Sequence, residues 1–160
     1  MQTVDTVLGA QPGSSARVSL ITDGCDNSGA RVRWLEHVQA RLSLKYKPRG
    51  DLKIKLTSPR GTESWLLLPR PKDRQGSSFD NWPFLSVHYW GEDPTGEWRL
   101  EVSQAGSKAA PASGVLKHWQ LVLYGTETDP LNPVSRGEDD IDTRDTTSGS
   151  CHPACQDTCL

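Results

Sequence analysis

The chain has 160 residues, 24% of them charged and 34% hydrophobic, with a formal net charge of -2. That length suits one ordinary domain, and the weak acidic balance argues against non-specific nucleic-acid binding, which needs a basic footprint. No apolar run approaches the ~20 residues of a membrane helix, and Met1 to Leu20 holds no apolar stretch of signal-peptide type.

Fourteen glycines, eleven prolines and six tryptophans point to turns and packed strands rather than a helical bundle. Residues 1–30 are mixed, with one predicted strand at Arg17–Thr22. From there the alternation sharpens. Val38, Ala40, Leu42, Leu44 and Tyr46 alternate with Gln39, Arg41, Ser43 and Lys45, a period of two that marks a strand with one buried face. Lys47-Pro48-Arg49-Gly50 supplies a turn, and Leu52, Ile54 and Leu56 resume the alternation. Two such runs joined by a short Pro/Gly segment predict a β-hairpin.

A turn at Thr57–Gly61 follows, then a short apolar strand at Trp65–Leu68, a polar loop from Pro69 to Ser78, and a strand around Phe84–His88. Trp98, Leu100 and Val102 mark another strand. Val115–Tyr124 closes the region with Trp119, Leu121 and Leu123 on one face. Many short strands between turns, without a convincing helix, indicate an all-β antiparallel sandwich or barrel. Jelly-roll and immunoglobulin-like topologies both fit. The expected core is Leu42, Leu44, Leu52, Ile54, Trp82, Phe84, Trp98, Leu100, Trp119 and Leu121.

After Thr126 the composition changes. Up to Ser150 there are seven acids, two arginines, and only Leu131, Val134 and Ile141 as large apolar residues. Such a segment cannot offset the entropy of ordering and reads as a disordered linker. Solvation explains its acidic run more simply than calcium buffering or partner binding.

Candidate chemistry is sparse. The sequence has no Gly-x-Ser-x-Gly elbow, no phosphate-cradling glycine loop and no His-Glu-x-x-His. His37, His88 and His118 sit in or beside strands among aromatics and read as packed side chains. Glu92-Asp93 lies in a turn that explains it. Arg49-Gly50-Asp51 is a candidate surface-recognition turn, as integrin ligands use, or a plain turn. Trp98 and Trp119 fall at inward positions, so core packing explains them better than a carbohydrate platform does.

The four cysteines are Cys25, Cys151, Cys155 and Cys159. The last three, with His152, have the makings of a zinc site. They lack the two separated knuckles of a structural one, and the start of a disulfide-rich module fits better. A chain that ends one residue after such a motif reads as part of a larger protein. No other cysteine lies between Cys25 and Cys151, so Cys25 is expected to have no partner within the sandwich.

The central region resembles the P domain, or Homo B domain, of furin/kexin-type proprotein convertases. Trp34–Leu44 is similar to that family's opening strand, Arg49-Gly50-Asp51-Leu52 to its Arg-Gly-Asp-Leu turn, and Leu56–Thr62 to its Ser-Pro-x-Gly-Thr turn. Asp73, Phe79, Asn81 and Trp82 sit at the spacing of its Gly-Phe-x-Asn-Trp segment, with Ser78 where the family usually has Gly. Phe84, Ser86, His88, Trp90, Gly91-Glu92, Pro94, Gly96 and Trp98 follow in order. Leu121–Thr126 resembles the closing Leu-x-Leu-Tyr-Gly-Thr, and Cys151-His152-Pro153-x-Cys155 the start of the furin-like cysteine-rich repeats.

This resemblance implies an eight-stranded jelly-roll sandwich over 1–126, best matched over 31–126. A disordered linker over 127–150 and a truncated cysteine-rich start over 151–160 complete the expected organisation. It implies an accessory role beside a subtilisin-like endopeptidase domain that cleaves precursors after paired basic residues in the secretory pathway. That protease's Asp, His and Ser motifs have no counterpart here, so no catalytic or metal residue is expected in this chain. No cofactor is expected either, and calcium would belong to the protease domain. The expected partner is that catalytic domain, within the same polypeptide, with no nucleic acid and no membrane contact. In the family a cysteine at the place of Cys25 pairs with one upstream, which implies a free thiol here. A free-standing adhesion or carbohydrate-binding sandwich is the alternative.

Overall fold

A computed structural model describes residues 2–26, 30–74, 76, 78–110, 113–132 and, as backbone, 155–157. The alternating runs form strands β1 (Gln2–Leu8), β2 (Ser15–Thr22), β3 (Trp34–Lys45), β4 (Leu52–Thr57), β5 (Glu63–Leu67), β6 (Phe79–Ser86), β7 (Gly96–Gln104), β8 (Gly114–Thr126) and β9 (Cys155–Asp157). They build two antiparallel sheets. The first runs β1-β8-β3-β6, with β9 added to β8, and the second runs β2-β7-β4-β5. Apart from the neighbours β4–β5 and β8–β9, successive strands lie in opposite sheets, as in the double-sheet jelly rolls.

Each inward face is read directly from the period of two. Leu42, Leu44, Leu52, Ile54, Phe84, Trp98, Leu100, Trp119 and Leu121 are all buried. Trp98 is the hub. Its indole N–H donates to the Pro94 carbonyl at 2.8 Å, and Tyr89 packs edge-on against it at 4.9 Å. Burial raises the Tyr89 phenol well above its ordinary range, and its hydroxyl donates to the Leu56 carbonyl at 2.8 Å.

Trp82 departs from the expected core. It stands opposite Leu42 in the register yet is 52% exposed. Asn81 adopts a positive φ of 43°, and the β3/β6 register shifts between Leu42 and Leu44. This bulge lets Phe79 and Phe84 both face inward despite their odd spacing. At this edge of the sandwich the Trp82 ring lies at the rim of the core, where it meets Phe79 edge-on at 6.0 Å.

The predicted hairpin between residues 38–46 and 52–56 is not formed. β3 pairs β6 and β8, whereas β4 pairs β5 and β7. The connection crosses from one sheet to the other through a 3-10 turn at Arg49–Asp51. Both strands bury one face, so alternation alone does not separate pairing within a sheet from stacking across the core.

Cys25 is disulfide-bonded and buried, which overturns the expected free thiol. The other cysteines of the chain are Cys151, Cys155 and Cys159, whose side chains lie outside the described residues. Distance along the chain was a poor guide to distance in space. The backbone of Cys155–Asp157 lies along Leu121–Leu123 of β8, so the terminal segment returns to the sandwich. Of the linker predicted over 127–150, the described part ends at Asn132, where Asp129 accepts from the Leu131 N–H at 2.9 Å. Residues 133–150 lie outside the described residues.

Candidate interaction surface

The Arg-Gly-Asp turn is built into the fold rather than presented. Arg49 forms an ion pair with Asp73 at 2.9 Å, and Arg70 reaches the same carboxylate at 2.9 Å. Gly50 is buried; its N–H donates to the Asp73 carbonyl at 3.1 Å and its carbonyl accepts from Arg70 N–H at 2.7 Å. A Cβ there would stand 2.2 Å from the Asp73 carbonyl oxygen, so glycine is required by close approach. The Asp51 carbonyl accepts from the Ala105 N–H at 2.7 Å. Nearby, burial first, and the Asp51 charge after it, raise the Tyr46 phenol, while Gln104 works the other way.

A second knot joins the two sheets. Glu92, in the turn after β6, accepts from the Ser58 hydroxyl at 2.6 Å and from the Thr62 hydroxyl. Leu35 N–H donates to the Glu92 carbonyl at 3.0 Å. Beside it, burial works to raise the Asp93 carboxyl, but hydrogen bonds from Thr95 and the charges of Arg33 and Arg60 hold it below its ordinary range. Glu92 and Asp93 are therefore structural acids of a turn. His37, in β3, stacks on Tyr124 at 4.1 Å between ring centres, as a packed side chain does. Among the described residues no group of three or more His, Cys, Asp or Glu side chains is placed to hold a metal ion. The side chains of Cys151, Cys155 and Cys159, read above as the start of a disulfide-rich module, lie outside that description.

Two surfaces remain, and they differ in kind. The outer face of the second sheet is a lattice of charges. Arg17 meets Glu101 at 3.1 Å, Lys55 meets Glu63 at 2.6 Å, and Lys53 and Lys55 both sit over the Trp65 ring. The edge of the first sheet is apolar: Trp82, Leu85, Val87 and Trp90, along β6 and the turn after it, are all exposed. Leu85 pairs with Gln39, two residues along β3 from the His37–Tyr124 stack. Trp82 shares the face of Leu42 at the rim of the core, whereas Leu85 points to the outer face with Gln39, so the apolar edge has two sides; the break in phase between Phe79 and Phe84 was the available signal for Trp82.

Two antiparallel sheets, with Arg49–Asp51 and Glu92 built into structural turns, define a β-sandwich of jelly-roll type. The sequence profile of the Proprotein convertase P-domain matches residues 35–123, and the chain belongs to that family. It is 49% identical over 119 residues to furin-like protease 2 of Drosophila melanogaster, covering 74% of this chain and 7% of that protein. Human neuroendocrine convertase 2 is 49% identical over 114 residues, covering 71% and 18%. Human proprotein convertase subtilisin/kexin type 5 is 40% identical over 163 residues, covering 92% and 9%. The chain thus spans less than a fifth of these relatives. Among solved structures, the Aeromonas sobria serine protease in complex with its chaperone superposes with a TM-score of 0.61 at 21% identity, over 79% of this chain and 26% of that one. That likeness is one of fold.

Proposed function

We propose that this chain is the non-catalytic accessory domain of a proprotein convertase. It packs on, and holds folded, a subtilisin-like serine endopeptidase domain in the same polypeptide, which cleaves precursors after paired basic residues in the secretory pathway. Any calcium the parent needs would be bound by that catalytic part. The observation that carries this reading is the apolar edge of β6. Exposed apolar residues gathered along one edge and its following turn mark an interaction site, and the other sheet pairs Arg17 with Glu101 and Lys55 with Glu63.

Such a contact stabilises by mass action. A partner that binds only the folded neighbour adds RT ln(1 + [L]/Kd) to its stability. Tethering raises the effective concentration to about the millimolar range, so even weak docking suffices. The adhesion alternative loses its main support because Gly50 is buried and Arg49 is engaged by Asp73.

The test is to express the full parent polypeptide with Trp82→Ser, Leu85→Ser and Trp90→Ser together. Secretion and cleavage of a dibasic peptide should fall, while the isolated chain carrying the same changes keeps its melting temperature. A parent that is secreted and cleaves normally would overturn the assignment.

A further inference from the structure

One end of the sandwich carries unneutralised positive charge. Lys45, Lys47, Lys72, Arg74, Lys108 and Lys117 are all exposed. They arrive from separate stretches: the end of β3, the β5–β6 and β7–β8 loops, and β8 itself. The fold brings these stretches together around two adjoining depressions. Arg74 and Lys108 line one of about 350 Å³ with Asp51 and Asp73, and Lys45 and Lys117 line another of about 300 Å³ with Phe79 and Asp80. Arg49 bridges them, paired to Asp73 and 5.9 Å from the Phe79 ring centre. The Lys47 methylenes approach Gly76 in the same loop.

Asp73 is already shared by Arg49 and Arg70. Among the described residues the six cations form no ion pair. Residues 1–126 hold 16 Lys and Arg against 12 Asp and Glu, and at this end six cations outnumber the Asp51 and Asp80 carboxylates that line the same depressions, which makes the local field positive. The second sheet shows the contrast, since its Arg17 and Lys55 each have a carboxylate.

We propose that this end binds a sulfated glycosaminoglycan. The cations are spread over two shallow depressions, so they suit a polymer with repeated anionic groups better than a single small anion. Its binding would be driven by counterion release, as for other dense polyanions. An anionic membrane is the poorer fit: interfacial docking buries an apolar face, and of the exposed apolar side chains of β6 and its following turn only Trp82, edge-on to Phe79, stands beside the depressions, while Leu85, Val87 and Trp90 lie toward the far end of β6 and beyond it. Nucleic acid is the poorer fit because the Cys25 disulfide belongs to an oxidising compartment.

The experiment titrates the 160-residue chain with a heparin decasaccharide over a salt series. Two triple variants, Lys72→Ser/Arg74→Ser/Lys108→Ser and Lys45→Ser/Lys47→Ser/Lys117→Ser, are compared with Arg17→Ser/Lys53→Ser/Arg99→Ser, which removes the same charge from the second sheet. Each end variant should weaken binding roughly tenfold or more and lower the slope of log affinity against log salt by about two. The second-sheet variant should change neither. Equal losses in all three variants, or no binding of the unaltered chain at about 0.15 M salt, would overturn the proposal. Lysine acetylation of the unaltered protein gives a readout independent of variant folding. Heparin should protect Lys45, Lys47, Lys72, Lys108 and Lys117 but not Lys53 or Lys55; the reverse pattern overturns it. Phosphatidylserine vesicles run in parallel should bind more weakly, and tighter binding to them would replace the glycan with a membrane.

Discussion

The two sheets bury equivalent inner faces and present opposite outer ones. The second sheet ends in cross-strand charge pairs, with Arg17 opposite Glu101 and Glu101 opposite Lys55 in the register. Among the described residues, apolar exposure there is confined to Ile21 on β2, and to Trp65 and Leu68 on and just after β5, with Lys53 and Lys55 over the Trp65 ring. The first sheet ends at β6, where Trp82, next to the bulge at Asn81, is half exposed at the rim of the core and Leu85 stands on the outer face opposite Gln39. Identical alternation therefore yields a finished surface on one side and an unfinished edge on the other. Both sheets have edge strands; the difference is that Lys53 and Lys55 lie over the exposed ring at β5, whereas, among the described residues, Trp82 and Leu85 on β6 have no such cover.

The sharpest way to break this contrast is to compare two tryptophans. Trp98→Ala should cost about 3–5 kcal/mol, because it empties a fully buried aromatic site. Trp82→Ala should cost the isolated chain under about 1 kcal/mol, as an exposed position does. Urea denaturation of both variants measures it, and equal losses would place Trp82 in the core after all.

The seam between the sheets should show an intermediate effect. Ser64 of β5 and Ser86 of β6 share a buried hydrogen bond of 2.7 Å. Ser64→Ala leaves the Ser86 hydroxyl poorly satisfied and should cost about 1–2 kcal/mol. The exposed pair Arg17–Glu101, removed in a double-mutant cycle, should contribute about 0–1 kcal/mol. A larger coupling for the surface pair than for the buried one would invert the comparison.

The smallest effect is one of pH. Because the Asp93 carboxyl is held below its ordinary value, the folded state binds its proton less readily than the unfolded state. Its stabilisation is present above the unfolded value of about 3.9 and is lost as pH falls through the lower folded value. Asp93→Asn should lower stability slightly at neutral pH and flatten the decline below about pH 4. A urea-midpoint series from neutral to acid pH that declines just as steeply in the variant would exclude Asp93 as a contributor.

Much of the fold was legible where one face is apolar and the other polar. β3, β4, β7 and β8 declare themselves through residues such as Leu42, Ile54, Trp98 and Leu121. β1 did not, because Asp5 takes a positive φ of 36° and the pairing shifts between Thr3 and Thr6, which breaks its period. The structural role of Arg49-Gly50-Asp51 was also hidden. Asp73 and Arg70, which anchor that turn, lie far along the chain in a loop with no period to read.

By itself the sequence determined which residues turn inward, where the chain must turn, and the family to which its motifs are similar, because these depend on local spacing and side-chain chemistry. The tertiary structure decided which strands are neighbours, and with that everything about the surface. Alternation is the same whether a strand pairs beside the next one or crosses the core to the other sheet. Only that choice made β6 an edge, left Trp82 uncovered, returned Cys155–Asp157 to β8, and gathered Lys45, Lys72, Lys108 and Lys117 at one end.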